Sequence, residues 1–399
     1  MREGGTGRPA AAGEPGPADL EALMARFDIE SDYRRLAGWI GRAVAALAVA
    51  FSLFQLYTAA FGVLEARLQR AVHLAFGMSL VFLLYPARRG ASRRTLPWWD
   101  VLLAAAGALA PLYLVVFYQA IVLRAAMPTP TDVAVAVLSV LLVLEAARRV
   151  VGLPIVVVAG LFILYALYGR SMPGFLAHRG FSLAQVANHL YFTTEGIFGI
   201  PLGVSSTFIF LFLLLGAFLE KTGIGRFFID LANSVAGFAS GGPAKVAVIT
   251  SALEGTISGS SVANTVGSGS FTIPMMKRLG YRPEFAAAVE AAASTGGQIM
   301  PPVMGAAAFL MAEFTGIPYV EVAKSAVLPA LLYFTGIFIA VHYEARRLGL
   351  RGIPRSELPS LGSVIKSRGH LLLPLVGIIW LLLEGSTPMK AAFYGIVLA

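Results

Sequence analysis

Residues 243–276 read PAKVAVITSALEGTISGSSVANTVGSGSFTIPMM. The stretch is apolar at both ends and polar in its middle. Ser258-Gly259-Ser260-Ser261 divides it into two arms of 15 residues, 243–257 and 262–276. An arm of that length rises only about 22 Å as a helix, short of the hydrocarbon layer of a bilayer. A helical hairpin that enters and returns on one side satisfies this length. Its tip is then irregular main chain at membrane depth, which persists only when buried in protein or lining a polar cavity. The tip is rich in small hydroxyls and glycine and carries one amide, Asn264. These groups offer oxygens suited to a hard cation such as sodium. The helix start at Ser261–Asn264 offers free N–H groups suited to a carboxylate.

A second stretch, 284–315, reads EFAAAVEAAASTGGQIMPPVMGAAAFLMAEFT. An apolar half-helix runs to Ala293, then Ser294-Thr295-Gly296-Gly297-Gln298-Ile299-Met300-Pro301-Pro302 interrupts it before another half-helix. Two glycines lower the cost of unusual backbone angles, and the proline pair removes two donors. The pattern predicts a discontinuous helix with an unwound middle. Hairpin tips and broken helices near the midplane are how many secondary transporters hold ion and substrate. The plainer alternatives are close helix packing, for which Gly255-x-x-x-Gly259 would serve, and a simple proline kink. Two short-armed segments, both polar at mid-depth, point to a site.

The rest of the chain fits a membrane protein. Of 399 residues, 57% are hydrophobic and only 13% charged, which excludes a soluble enzyme, a disordered tail or a fibre. The net charge of +9 comes from basic clusters between apolar runs, a placement that argues for topology rather than nucleic acid. With no cysteine and five scattered histidines, thiolate and histidine metal sites are excluded. Apolar runs fall at 37–60, 71–86, 98–121, 132–150, 153–171, 201–220 and 322–343, and another at 371–383. Residues 183–198 read as an amphipathic interfacial helix and 227–242 as a helix lying at the inner surface. If the N-terminus is cytoplasmic and 243–276 returns to its own side, only seven of 31 Lys/Arg fall outside. A single crossing at 243–276 would lose most of that bias.

Ionisable residues within the apolar runs are few. Glu254 and Glu290 lie in the two special segments, as proton carriers or ion partners. The alternative is a carboxylate near the inner interface paired with Lys245, Arg282 or a polar cavity. Glu145 sits three and four residues before Arg148 and Arg149, an ordinary helix-end ion pair. There is no Walker A sequence and no His-Glu-x-x-His, and Ser258, Ser260 and Ser261 have no evident His–Asp partner. The chain is therefore expected not to be an enzyme. An intramembrane hydrolase using Ser258 or Ser260, and a non-transporting scaffold or assembly subunit, are the competing classes.

The string GGPAKVAVITSALEGTISGSSVANTVGSGSFTIPMMKRLGYRPEFAAAVEAAASTGGQIMPPVMG at 241–305 resembles the large membrane subunit of tripartite ATP-independent periplasmic (TRAP) transporters, most closely the fused permease of the TAXI branch. The resemblance covers about 36–399. It implies an all-α polytopic membrane protein, an elevator-type transporter with a re-entrant hairpin and a discontinuous helix. Residues 1–35, polar with glycine, proline and seven acidic residues, read from composition as a mobile cytoplasmic tail ending in Arg34–Arg35. The resemblance divides the rest into a four-helix small-subunit-like domain (36–150), scaffold helices (151–240), a first transport repeat (241–320), and a scaffold helix, linker and start of a second repeat (321–399). It assigns Ser260, Ser261, Asn264, Gln298, Pro301 and Pro302 to substrate, and Ser258, Gly259, Ser260, Thr295, Gly296 and Gly297 to sodium. For a family member that uses protons instead, the alternative reading is proton coupling through the intramembrane carboxylates Glu254 or Glu290. It implies import of a small organic acid delivered by a periplasmic substrate-binding protein, with sodium as coupling ion and no cofactor, in the bacterial inner membrane. Membrane lipid is an expected partner and nucleic acid is not. A second hairpin and second broken helix are missing, so a truncated chain, or a second chain supplying that repeat, is also expected.

Overall fold

The computed structural model describes residues 33–88, 92–124 and 127–399. The tail read at 1–35 therefore lies outside the described residues up to residue 32. All regular structure among the described residues is helical. Among the described residues, seven helices are long and apolar enough to cross a membrane: Gly38–Phe61 (α1), Ala66–Leu84 (α2), Trp98–Val116 (α3), Leu153–Ser171, Ile200–Lys221, Tyr319–Arg347 and Arg355–Leu383. Helices Tyr118–Arg124 (α4) and Pro130–Val150 (α5) precede Leu153–Tyr168 (α6), the regular part of the fourth span. The run expected to cross at 132–150 thus forms a helix but is not one of the seven.

Two compact units divide the chain. The first holds residues up to Val49 and Ala71–Ile197. Met78, Phe82, Ala104, Ala110 and Leu142 make its buried core. Gly107 lets α3 close on α2, because a Cβ there would stand 3.1 Å from both Met78 Cβ and the Phe82 ring. Beneath this core Asp100, fully buried, accepts from Arg34 Nη2 at 2.5 Å and Arg149 Nη1 at 2.8 Å. Arg34, expected to close a mobile tail, is instead fixed there. The Glu145 pairs with Arg148 (2.7 Å) and Arg149 (2.8 Å) form as the spacing predicts. Thr129 and Asp132 close a capping box on α5, and Ser182 and Gln185 do so on Leu183–Phe192 (α7). The amphipathic stretch therefore stops at 192, short of the 198 expected. Helix α6 buries none of its sixteen residues although its sequence, LPIVVVAGLFILYALY, is almost wholly apolar. Water would not tolerate that surface, whereas lipid accepts it.

The second unit holds Ala50–Arg70 and Phe198–Ala399. Helix Ile200–Lys221 (α8) contains a π turn at Ser205–Ile209 and leads to Ile224–Ala236 (α9). The hairpin arms are Gly242–Ser258 (α10) and Ser261–Arg278 (α11), followed by Pro283–Gly296 (α12), Ala306–Thr315 (α13) and Tyr319–Arg347 (α14). Leu361–Arg368 (α15), Leu373–Leu383 (α16) and Pro388–Leu398 (α17) complete it. One core gathers Leu211, Leu215, Phe227, Phe228 and Ile378. Another joins hairpin, α12 and α14 through Val248, Met276, Val289, Ala293 and Phe334. Helix α9 ends at Ala236, earlier than the 242 expected. Gly237 and the left-handed Gly241 (φ +69°) turn the chain into the hairpin.

Candidate functional site

The hairpin is built by local chemistry at its tip. Gly259 ends α10 in the left-handed region (φ +58°), where a side chain would be strained. Ser260 follows as N-cap of α11, its hydroxyl accepting from the Ala263 N–H at 3.3 Å. The arms then run antiparallel, and Asn264 Nδ2 donates back to the Ser251 carbonyl at 2.8 Å. The two feet meet, since Tyr281 Oη donates to the Gly241 carbonyl at 3.4 Å. The arms are 17 and 18 residues long rather than 15, because α11 continues to Lys277 and Arg278, basic residues favoured at a helix C-terminus.

The discontinuous helix forms as expected, with its break slightly later. Helix α12 continues through Ser294 and Thr295 to Gly296, and a short 3₁₀ turn covers Gly297–Ile299. Beyond it come the cis Pro301–Pro302 bond and Met304 at φ +56°. The Gly305 N–H donates to the Gln298 carbonyl at 2.7 Å and closes the irregular segment before α13. Tyr319 Oη serves the free carbonyls of Pro302 (2.8 Å) and Val303 (2.6 Å).

Hairpin and break meet through glycines. A Cβ on Gly255 would strike the Gly297 Cα, and one on Gly297 would lie 2.9 Å from both Asn264 Nδ2 and Gly255 Cα. At the tip, a Cβ on Gly259 would strike the Met304 carbonyl oxygen. Gln298 Nε2 donates to Ser261 Oγ at 3.1 Å. A cavity of about 510 Å³ runs along the hairpin, with Glu254, Ser258, Ser260 and Asn264 on its wall. Asn264 is buried, and its Oδ1 has no hydrogen-bond partner. The bond from Nδ2 to the Ser251 carbonyl fixes the amide, since the flipped form would set two oxygens face to face.

The two carboxylates are placed differently. Glu290 is fully buried and accepts from Ser268 (2.5 Å), Thr272 (2.5 Å), Ser251 (3.2 Å) and Ser294 (3.2 Å). One side chain thus ties both hairpin arms to α12. Glu254 faces the cavity between two glycines; a Cβ on Gly225 or on Gly267 would come within 3.3 Å of its carboxylate. Neither carboxylate joins an ion pair with Lys245 or Arg282. Lys245 Nζ lies 3.0 Å from His342 Nδ1, and Arg282 pairs with Glu284 at 3.7 Å.

The predicted residues do not all converge. Ser258, Gly259, Ser260, Ser261, Asn264, Gly297 and Gln298 meet where the tip packs on the break. Thr295 is exposed and its hydroxyl returns to the Ala291 carbonyl at 2.8 Å. Gly296 faces α14, where a Cβ would lie 2.5 Å from Tyr333 Cε1. Pro301 and Pro302 form the bend, with the Pro302 carbonyl taken by Tyr319. Sequence reasoning missed Ser251, Ser268 and Thr272. The signal was present: Asn264, Ser268 and Thr272 recur every four residues and so line one face of α11.

Residues 138–399 match the family model described as tripartite ATP-independent periplasmic transporter, DctM component. The C4-dicarboxylate TRAP transporter large permease protein DctM of Pseudomonas aeruginosa is 34% identical over 182 residues, 45% of this chain and 42% of that protein. The isethionate TRAP transporter permease protein DctMQ of Oleidesulfovibrio alaskensis is 27% identical over 193 residues, 47% of this chain and 30% of that protein. The sialic acid TRAP transporter large permease protein SiaM of Vibrio cholerae is 26% identical over 182 residues, 45% and 42% of the two chains. The chain spans about half, or less, of the length of these relatives. It belongs to the DctM family of TRAP transporter large permeases.

Proposed function

We propose that this DctM-family chain is the permease component of a sodium-coupled secondary transporter that imports an organic acid handed over by a periplasmic substrate-binding protein. One observation carries the sodium reading. Asn264 Oδ1 is a buried acceptor with no donor, on the wall of a cavity it shares with Glu254, Ser258 and Ser260. A wall rich in oxygen acceptors, one of them a buried amide oxygen with no donor, suits a hard monovalent ion. Arg226 also lines this cavity. Ser258, Ser260 and Asn264 would hold the co-transported ion, and the free N–H groups at the start of α11 would face the substrate carboxylate.

The hairpin is re-entrant on this reading, and α10–α13 move as an elevator past a scaffold that includes α14. The basic-residue count supports an inner-membrane topology with a cytoplasmic N-terminus. The division at 36–150, 151–240, 241–320 and 321–399, the fusion of small and large subunits and the TAXI branch belong to the same proposal. The test is uptake by the double variant Ser260→Ala/Asn264→Ala in the complete transport system with its binding protein. Loss of uptake with unchanged membrane insertion is expected; unchanged uptake would overturn the assigned site.

A second reading, proton coupling, is favoured by Glu254, a carboxylate on the cavity wall with no Lys or Arg at ion-pair distance among the described residues. Glu290 is sealed by four hydroxyls and suits a structural role better. Uptake driven by a pH gradient without sodium separates the two readings.

A further inference from the structure

A second cavity lies away from the hairpin, within the second unit, its mostly apolar wall carrying a few polar side chains. It measures about 280 Å³ and takes its wall from the start of α2, the π turn of α8 and Glu313 of α13. Gln69 stands on this wall and is only 2% exposed. Its Nε2 uses both protons, one to Thr58 Oγ1 (3.2 Å) and one to the Ser206 carbonyl (3.2 Å). Thr58 spends its own proton on the Gln55 carbonyl at 3.1 Å, so Thr58 can only accept from Gln69. A flipped amide would set Oε1 against two acceptors. Oε1 therefore keeps its orientation, and it is a buried acceptor with no partner.

The π turn makes this arrangement possible. The Phe210 N–H donates to the Ser205 carbonyl instead of the Ser206 carbonyl, which an α-helical register would require. The Ser206 carbonyl is thereby released from that bond and accepts Gln69.

Arg70 supplies the opposite character. Its Nη1 is anchored on the Phe198 carbonyl at 2.6 Å. The guanidinium lies flat on Gly203, where a Cβ would stand 2.6 Å from Nη2, 2.8 Å from Cζ and 2.9 Å from Nε. The glycine is the seat for the cation. Glu313, exposed at the rim, forms no ion pair with Arg70. The small cavity thus carries a fixed cation, a fixed neutral acceptor without a donor, and a carboxylate at its edge.

We propose that this cavity binds a small zwitterion of the α-amino-acid class, its carboxylate on Arg70 and its ammonium between Gln69 Oε1 and Glu313. A guanidinium is matched to a carboxylate, and an orphaned amide oxygen beside a carboxylate is matched to an ammonium group. Val204 and Phe208 on the same wall accommodate a short aliphatic side chain.

The test uses the full chain purified in detergent and equilibrium dialysis with radiolabelled L-alanine, propionate and ethylamine. Propionate lacks the ammonium and ethylamine lacks the carboxylate. Saturable binding of L-alanine at one site is expected, with each fragment at least tenfold weaker. Arg70→Gln and Glu313→Gln should each weaken L-alanine at least tenfold, and Gln69→Leu should reduce the preference for L-alanine over propionate. Glu313 is exposed, so its variant keeps the test valid if Arg70→Gln fails to fold. Absence of saturable L-alanine binding, Arg70-dependent propionate binding as tight as that of L-alanine, or full binding by Glu313→Gln would each overturn the assignment.

Discussion

Gly297→Ala probes the join between hairpin and broken helix. Gly297 has φ −58° and ψ −28°, so alanine fits the backbone without strain. The cost arises entirely from space. The new methyl would lie 2.9 Å from Asn264 Nδ2 and 2.9 Å from Gly255 Cα. Forcing a methyl into a filled contact costs about 1–3 kcal/mol. If Asn264 yields, its bond to the Ser251 carbonyl is lost as well, about 0.5–1.5 kcal/mol more. The expected destabilisation is roughly 2–4 kcal/mol, read from SDS-titration unfolding in mixed micelles. Gly336→Ala is the internal control, because a Cβ there meets nothing within 4 Å and alanine is the better helix former by about 1 kcal/mol. Gly297→Ala should unfold well before Gly336→Ala and should abolish uptake in the complete system. If the two variants unfold together, the close approach of Gly255, Gly297 and Asn264 is not a feature of the folded protein.

Further variants test other parts of the account. Glu290→Gln turns an amide N–H₂ towards hydroxyls that now donate to a carboxylate, and should lower stability by about 1–3 kcal/mol in the same titration. Asp100→Asn removes the charge buried between Arg34 and Arg149 and should cost about 3–5 kcal/mol. By comparison, Arg347→Gln, which breaks a surface pair with Glu344, should leave the unfolding midpoint nearly unchanged. Tyr319→Phe keeps the ring stacked on Phe309 (centroids 4.3 Å apart) but frees the Pro302 and Val303 carbonyls. It should cost about 0.5–1.5 kcal/mol and raise hydrogen exchange at Met304–Gly305.

The hairpin and the break were legible because short arms, a polar centre and Gly/Pro punctuation are local signals. Their limits were less so. Ser294 and Thr295 look like breakers, yet Ser294 serves Glu290 and Thr295 bonds back to Ala291, so the helix runs on to Gly296. Glu290 was visible as an ionisable group, but its hydroxyl partners come from three helices whose register only the fold fixes. The Arg34–Asp100–Arg149 cluster joins residues far apart in sequence, each of which reads as an ordinary interfacial charge. The capping boxes at Thr129 and Ser182 went unread, although the capping residue and its partner stand only three positions apart.

The central claim is that the two helices of 242–278 enter and leave on one face of the membrane. The chain has no cysteine, so single cysteines report without background. Val235, 52% exposed just before the hairpin, and Lys277, exposed at its end, are the positions to label. Val235→Cys and Lys277→Cys should both react with an impermeant maleimide in inside-out vesicles and be protected in intact spheroplasts. Labelling of the two positions from opposite sides would contradict the account.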